Sequence, residues 1–197
     1  TQVASLYKNM PVDNILQTNG ATGATMLALY ALIEPEDHVI SMYPTYQQLY
    51  DIPKSLGADV DLWEIEEDRN WLPDLDQLRR LIRPNTKMIC INNANNPTGA
   101  LMDAAYLEEL VAIAKEVDAY IFSDEVYRSF DQPAPSIVDL YDKGIAVNSL
   151  SKTYSIPGIR VGWVASNTEV ADILRDYRDY TMICAGVFDD MVATLVL

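Results

Sequence analysis

Apolar and polar positions along this chain follow two alternating periods. Helical spacing predicts helices over Gly23–Ile33, Thr45–Leu56, Leu75–Ile82, Asp103–Val117 and from Thr168 to Tyr177. Between them lie short apolar or alternating runs that predict strands: His38–Met42, Asp59–Ile65, Lys87–Asn92, Ala119–Ser123, Ile145–Asn148 and Ile159–Ala165. The clearest helix begins at Asp103, an N-cap candidate, with Leu107, Leu110, Val111 and Ala114 on one face. Pro73-Asp74 opens the short helix before it, and Thr168 is the expected cap of the last one. Asp131–Ser136, with two prolines, reads as a loop.

Strands alternating with helices predict an α/β fold, a mostly parallel sheet with helices on both faces. In such sheets ligands bind beyond the carboxyl ends of the strands. Asn96, Asp124 and Lys152 each follow a predicted strand, so three chemically capable side chains are expected at one edge. With no repeat and no linker, residues 1–197 read as a single domain. The chain opens without methionine and closes on the uncapped apolar stretch Met191–Leu197, the pattern expected of an excerpt from a longer polypeptide.

Composition narrows the function classes. A net charge of −15 argues against nucleic acid and against an anionic membrane, both of which repel an acidic surface. No apolar run approaches the roughly 20 residues that span a bilayer, and no signal-peptide pattern opens the chain. Cys90 and Cys184 are far apart in sequence, which suits a reducing, cytoplasmic setting and core roles rather than metal ligation. His38 is the sole histidine; it excludes multi-histidine metal sites and reads as structural.

The chemistry concentrates around Lys152, in Ser149-Leu150-Ser151-Lys152 after the apolar run Ile145–Val147. A lysine sheltered there would have its ammonium disfavoured and its amine nucleophilic, able to form a Schiff base with an aldehyde. Arg160, with a fork suited to phosphate and the hydroxyls of Ser149 and Ser151 nearby in sequence, points to a phosphorylated ligand. An aldehyde that carries a phosphate is pyridoxal 5'-phosphate. Asp124 ends an apolar strand, where a carboxylate needs a cation: a protonated pyridine nitrogen, or a protein Lys or Arg. Gly20-Ala21-Thr22-Gly23 precedes a predicted helix, whose backbone N–H groups and dipole favour an anion. Asn95-Asn96-Pro97-Thr98-Gly99 makes a turn that aims Asn96 over the sheet edge. Tyr46 is a candidate to stack on a planar ring; Trp63, Trp71 and Trp163 read as packing.

Asn-Pro-Thr-Gly, Asp124-Glu125-Val126-Tyr127 and Ser-x-Ser-Lys…Arg-Val-Gly occur in one order across nearly the whole chain. In combination they make it resemble the fold-type I, class I/II aminotransferases that depend on pyridoxal phosphate. The resemblance implies the large cofactor-binding domain of that family. It implies that Lys152 is the Schiff-base lysine, that Asp124 pairs with the pyridine nitrogen, and that Tyr127 and Asn96 hold the phenolic oxygen. Tyr46 would stack on the ring; Ala21, Thr22, Ser149 and Arg160 would hold the phosphate. Lys152, Asp124 and Tyr127 are the catalytic candidates. The implied reaction exchanges an amino group between an amino acid and a 2-oxo acid in a homodimer, with Tyr180–Asp190 near the neighbouring subunit. A C–S β-lyase or another α-carbanion enzyme on the same scaffold, and a non-catalytic α/β binding module, are the alternatives. The family's carboxylate-gripping arginine and its N-terminal arm are expected outside residues 1–197. Glu36 stands where the family often has glycine, which leaves that turn's type open.

Overall fold

The computed structural model describes residues 2–128 and 134–197. Seven strands form one sheet: β1 (Ile15–Asn19), β2 (His38–Tyr43), β3 (Asp59–Glu64), β4 (Thr86–Asn92), β5 (Tyr120–Asp124), β6 (Gly144–Ser149) and β7 (Val161–Ala165), in the order β1-β7-β6-β5-β4-β2-β3. Strands β3, β2, β4, β5 and β6 pair in parallel, whereas β7 runs antiparallel to both β6 and β1. The helices are α1 (Gly20–Leu32), α2 (Gln48–Ser55), α3 (Leu75–Leu81), α4 (Ala104–Glu116), α5 (Thr168–Thr181) and α6 (Val187–Val196).

Alternation along the strands divides the core in two. Ile40, Ile89, Ile91, Ile121 and Ala146 face one side, with Leu78 of α3, Leu107 and Leu110 of α4 and Ala193 of α6. Val39, Met88, Cys90, Phe122, Ile145 and Val147 face the other, with Leu27 of α1, Leu49 of α2 and Leu174 of α5. Each of the fully buried Leu, Ile and Phe side chains contributes about 1.5–3 kcal/mol by leaving water. Helices therefore cover both faces, as the periodicity predicts.

Several boundaries differ from the sequence reading. Strand β1 and helix α6 were not foreseen as elements: β1 has two adjacent apolar residues and then Gln17-Thr18-Asn19, and α6 starts at Val187 after Gly186, which offers no side-chain cap. α1 begins at Gly20 rather than Gly23, so the small-residue segment is its first turn and not a loop before it. α2 starts at Gln48 rather than Thr45, because the Thr45 hydroxyl donates to Asn95 Oδ1 at 2.9 Å and holds that segment as loop. The cap of α5 is Asn167, whose Oδ1 accepts from Val170 N–H at 2.9 Å; Thr168 is the first helical residue. Pro157–Ile159 forms a 3-10 turn, so β7 starts at Val161. Asp103 does cap α4, accepting from Tyr106 N–H at 2.9 Å. Within the expected loop Asp131–Ser136, Asp131 to Pro133 lie outside the described residues, and Ala134 to Ser136 are irregular.

Candidate active site

One edge of the sheet gathers the chemistry. Strands β1, β2, β4, β5 and β6 end there, and antiparallel β7 begins there. A cavity of about 230 Å³ opens at this edge. Ala21, Thr22, Tyr46, Asn96, Asp124, Tyr127, Ser149, Lys152 and Arg160, nine candidates drawn from separate stretches of sequence, all line it. Asn92, Val126, Ser151 and Pro157 line it too. Among these, Ser151 was legible as a flanking hydroxyl; Asn92 was missed, although a polar residue closing an apolar strand is the same signal that marks Asp124.

At one end of the cleft the residues suit an anion. Asn19 makes no side-chain cap to α1, so the first N–H groups of that helix lack a cap acceptor. Arg160 Nη1 donates to Ser151 Oγ at 3.3 Å and to the Pro157 carbonyl at 2.8 Å. Two glycines allow this approach. A Cβ on Gly162 would lie 2.6 Å from Ala21 N, and one on Gly20 would overlap the Arg160 guanidinium. The resulting cradle joins backbone donors, hydroxyls and a guanidinium, the donor set a phosphate requires.

Asp124 forms the floor. It is buried, its Oδ1 accepts from Val126 N–H at 3.1 Å, and burial pushes its carboxyl up to about 6, offset in part by that bond and by the Lys152 charge. Among the described residues, no Lys or Arg nitrogen lies within 4 Å of it. The alternative of a structural salt bridge is thus absent from this set, and the carboxyl stays available to a cation brought by a ligand.

Lys152 departs from the expectation of a sheltered amine. It lies three residues past the end of β6, in a turn, and its side chain is exposed. Its Nζ sits 5.6 Å from the centre of the Tyr127 ring. Arg160, also expected among small apolar neighbours, is exposed with left-handed backbone (φ 52°). Cross-links hold these loops. Thr153 Oγ1 donates to the carbonyls of Val126 (3.3 Å) and Arg128 (3.0 Å), tying the Lys152 turn to the Tyr127 turn. Asn95 Nδ2 donates to the Pro44 carbonyl (3.2 Å) and to Thr98 Oγ1 (3.0 Å), tying the Asn96 turn to the segment that carries Tyr46.

Behind Asp124, Glu125 points to the opposite face. It is buried, and its Oε1 accepts from Ser136 Oγ (3.0 Å) and Ile137 N–H (2.9 Å). Burial raises its carboxyl to about 7.

An anion cradle, an amine, a buried carboxyl without an ion-pair partner among the described residues, two polar side chains and an aromatic face fit a planar, phosphorylated, cationic heteroaromatic aldehyde. The family model for aminotransferase class I and II matches residues 1–195. The chain belongs to that family. Within it, an aspartate aminotransferase from Thermotoga maritima is 35% identical over 197 residues, taking in 96% of this chain and 52% of that protein. Glutamate-pyruvate aminotransferase AlaA of Escherichia coli K12 is 35% identical over 168 residues, 81% of this chain and 41% of that protein. A crystal structure of a PLP-dependent aminotransferase from Streptococcus suis 89-1591 superposes with a TM-score of 0.96 at 76% identity, covering 98% of this chain and 52% of that one. The chain spans about half the length of the curated relatives it matches.

Proposed function

We propose that residues 1–197 are the cofactor-binding large domain of a pyridoxal-5'-phosphate-dependent aminotransferase, which exchanges an amino group between an amino acid and a 2-oxo acid. The observation that carries this reading is Asp124, a buried carboxyl with no Lys or Arg in ion-pair reach among the described residues, on the floor of a cleft that also holds Lys152. The aminotransferase names of the relatives support transamination over the β-lyase alternative.

When bound, the cofactor supplies an electron sink for negative charge at the substrate Cα. The chain's own residues do the rest. Lys152 Nζ, on a flexible stem, would anchor the aldehyde and would hold the proton taken from the substrate Cα. Asp124 stabilises positive charge at the pyridine nitrogen; Asn96 and Tyr127 donate to the phenolic oxygen. Tyr46 covers the ring face. The N–H groups of Ala21 and Thr22, the Ser149 hydroxyl and the Arg160 guanidinium hold the phosphate.

The proposal extends to a cytoplasmic homodimer. Exposed apolar residues from Tyr180 to Phe188 support an interface with a second subunit. Two free cysteines support a reducing compartment, and no helix among the described residues is long and apolar enough to cross a membrane.

Borohydride reduction of the full-length protein loaded with pyridoxal phosphate, followed by peptide mass spectrometry, tests the reading. An adduct on Lys152 is expected. An adduct on another side chain, or none, overturns it.

A further inference from the structure

We propose that Asn92 is a positioning residue that fixes the separation of Asn96 and Asp124 and thereby seats the cofactor ring. The inference rests on the function proposed above but uses a residue that reading gives no role.

Asn92 is the last residue of β4 and stands opposite Asp124 in the parallel ladder. It is buried, yet it lines the cleft. Its side chain is used at both ends. Nδ2 donates to the Asp124 carbonyl at 2.9 Å, and Oδ1 accepts from the Asn96 N–H at 2.6 Å. The partners determine which end is which, since a carbonyl only accepts and a backbone N–H only donates. Both bonds go to backbone, so Asn92 sets the path of the two loops rather than the rotamer of either side chain.

The neighbouring residue supplies an internal contrast. Asn93 is also buried and also makes two backbone bonds, but both go to Met102: Nδ2 to its carbonyl at 3.0 Å and Oδ1 from its N–H at 2.8 Å. The Asn93 side chain secures the far side of the same turn, although its backbone N–H also donates to the Asp124 carbonyl at 2.9 Å; the Asn92 side chain links Asp124 to Asn96. In the proposed function Asn96 and Asp124 hold two fixed points of one rigid ring, the phenolic oxygen and the pyridine nitrogen. A rigid ring satisfies both only at one spacing, and a misplacement of about 1 Å costs roughly 10²-fold in rate. An amide is the side chain that joins a donor to an acceptor over this span. Aspartate would set an oxygen against the Asp124 carbonyl, and an apolar residue would take the acceptor from the Asn96 N–H and leave the Asp124 carbonyl to the Asn93 N–H alone.

The test uses the full-length protein with Asn92→Ala, Asn92→Asp and Asn93→Ala. It measures pyridoxal phosphate affinity of the apoproteins by tryptophan fluorescence, the pH midpoint of the bound cofactor's visible band, and apoprotein thermal stability. Asn92→Ala is expected to weaken affinity about tenfold, the effect of roughly one hydrogen bond. It should also raise the spectral midpoint by about half a unit, because a loosened Asn96 donates less well to the phenolic oxygen. Asn92→Asp keeps the Asn96 bond and should weaken affinity to a similar degree, which carries the test if the alanine variant does not fold. Asn93→Ala should lose thermal stability and change neither affinity nor midpoint. Wild-type affinity and midpoint in the Asn92 variants, or equal changes in Asn93→Ala, overturn the inference. If the wild-type protein forms no borohydride-reducible bond at Lys152, the functional reading itself fails, and this inference with it.

Discussion

The two edges of the sheet treat polar groups in opposite ways. At the amino edge of β2, β3 and β4, His38 is solvent-inaccessible and fully partnered: Nε2 meets Asp61 Oδ2 at 3.1 Å and Nδ1 meets Thr86 Oγ1 at 2.8 Å. Arg83 closes the set, bonding Asp61 at 2.7 Å, Asp59, and Thr86 through its backbone N–H at 2.8 Å. The Asp61 carboxylate requires a donor, so Nε2 carries the proton and Nδ1 accepts from the Thr86 hydroxyl. At the carboxyl edge, Lys152 and Asp124 share a cleft without forming an ion pair with each other. A saturated network holds strands together; an unsaturated one is held ready for a ligand. The sole histidine is therefore a structural group, and the reactive groups lie across the sheet from it.

This contrast fails if substitutions at the two edges behave alike. The largest effect is expected for Lys152→Ala in the full-length enzyme: steady-state assays should show turnover reduced by ~10³-fold or more with little change in thermal midpoint. Asp124→Asn should lower turnover by about 10²-fold while stabilising the apoprotein at pH 8. The sign follows from burial. A carboxyl raised from 3.8 to about 6 favours the fold while protonated, and that contribution is lost as pH rises through the window from about 4 to 6. Removing the ionisable group relieves a penalty of about 2–3 kcal/mol above that window, and thermal melts at pH 4 and pH 8 should diverge accordingly. Equal losses of activity and stability at pH 8 would instead mark Asp124 as a structural ion-pair partner.

At the other edge, His38→Asn should cost about 1–3 kcal/mol by denaturant melts at pH 8 and leave cofactor affinity unchanged. Burial lowers the His38 imidazole below its ordinary 6.5. Its contribution is present above about pH 6.5 and is lost as pH falls, the reverse of Asp124, so the variant should flatten the acid limb of the stability profile. The smallest effect concerns the turn that leads into β2 at the amino edge. Glu36 holds a left-handed backbone (φ 74°), and Glu36→Gly should gain about 0.5–1 kcal/mol in the same melts.

Much of this arrangement was legible because strand ends are marked by a change in residue type. The runs Lys87–Asn92, Ala119–Ser123 and Ile145–Asn148 announced three loops at one edge, and the parallel topology required those loops to meet. Strand β1 was hidden because its buried positions, Leu16 and Thr18, alternate with Gln17 and Asn19 and include only one apolar side chain. Thr45 defeated the helix period through a bond to Asn95, which is 50 residues distant. The exposure of Lys152 was illegible for a different reason. Sequence order put it after a buried strand, but β6 ends at Ser149, and the next three residues carry the side chain clear of the core. Asn92 escaped notice because its importance lies in two partners rather than in its own reactivity.

Strand β7 turns back beside β6, with Leu150 N–H bonded to the Val161 carbonyl at 3.0 Å and Ser149 opposite Gly162. Residues 151–160 thus form a single closed excursion, and it delivers both the amine and the guanidinium. Their spacing is a local property of one hairpin, independent of how the remaining strands drift or breathe. An insertion or deletion within those ten positions would change the reach from amine to guanidinium, whereas one in any crossover helix would leave the pair in step.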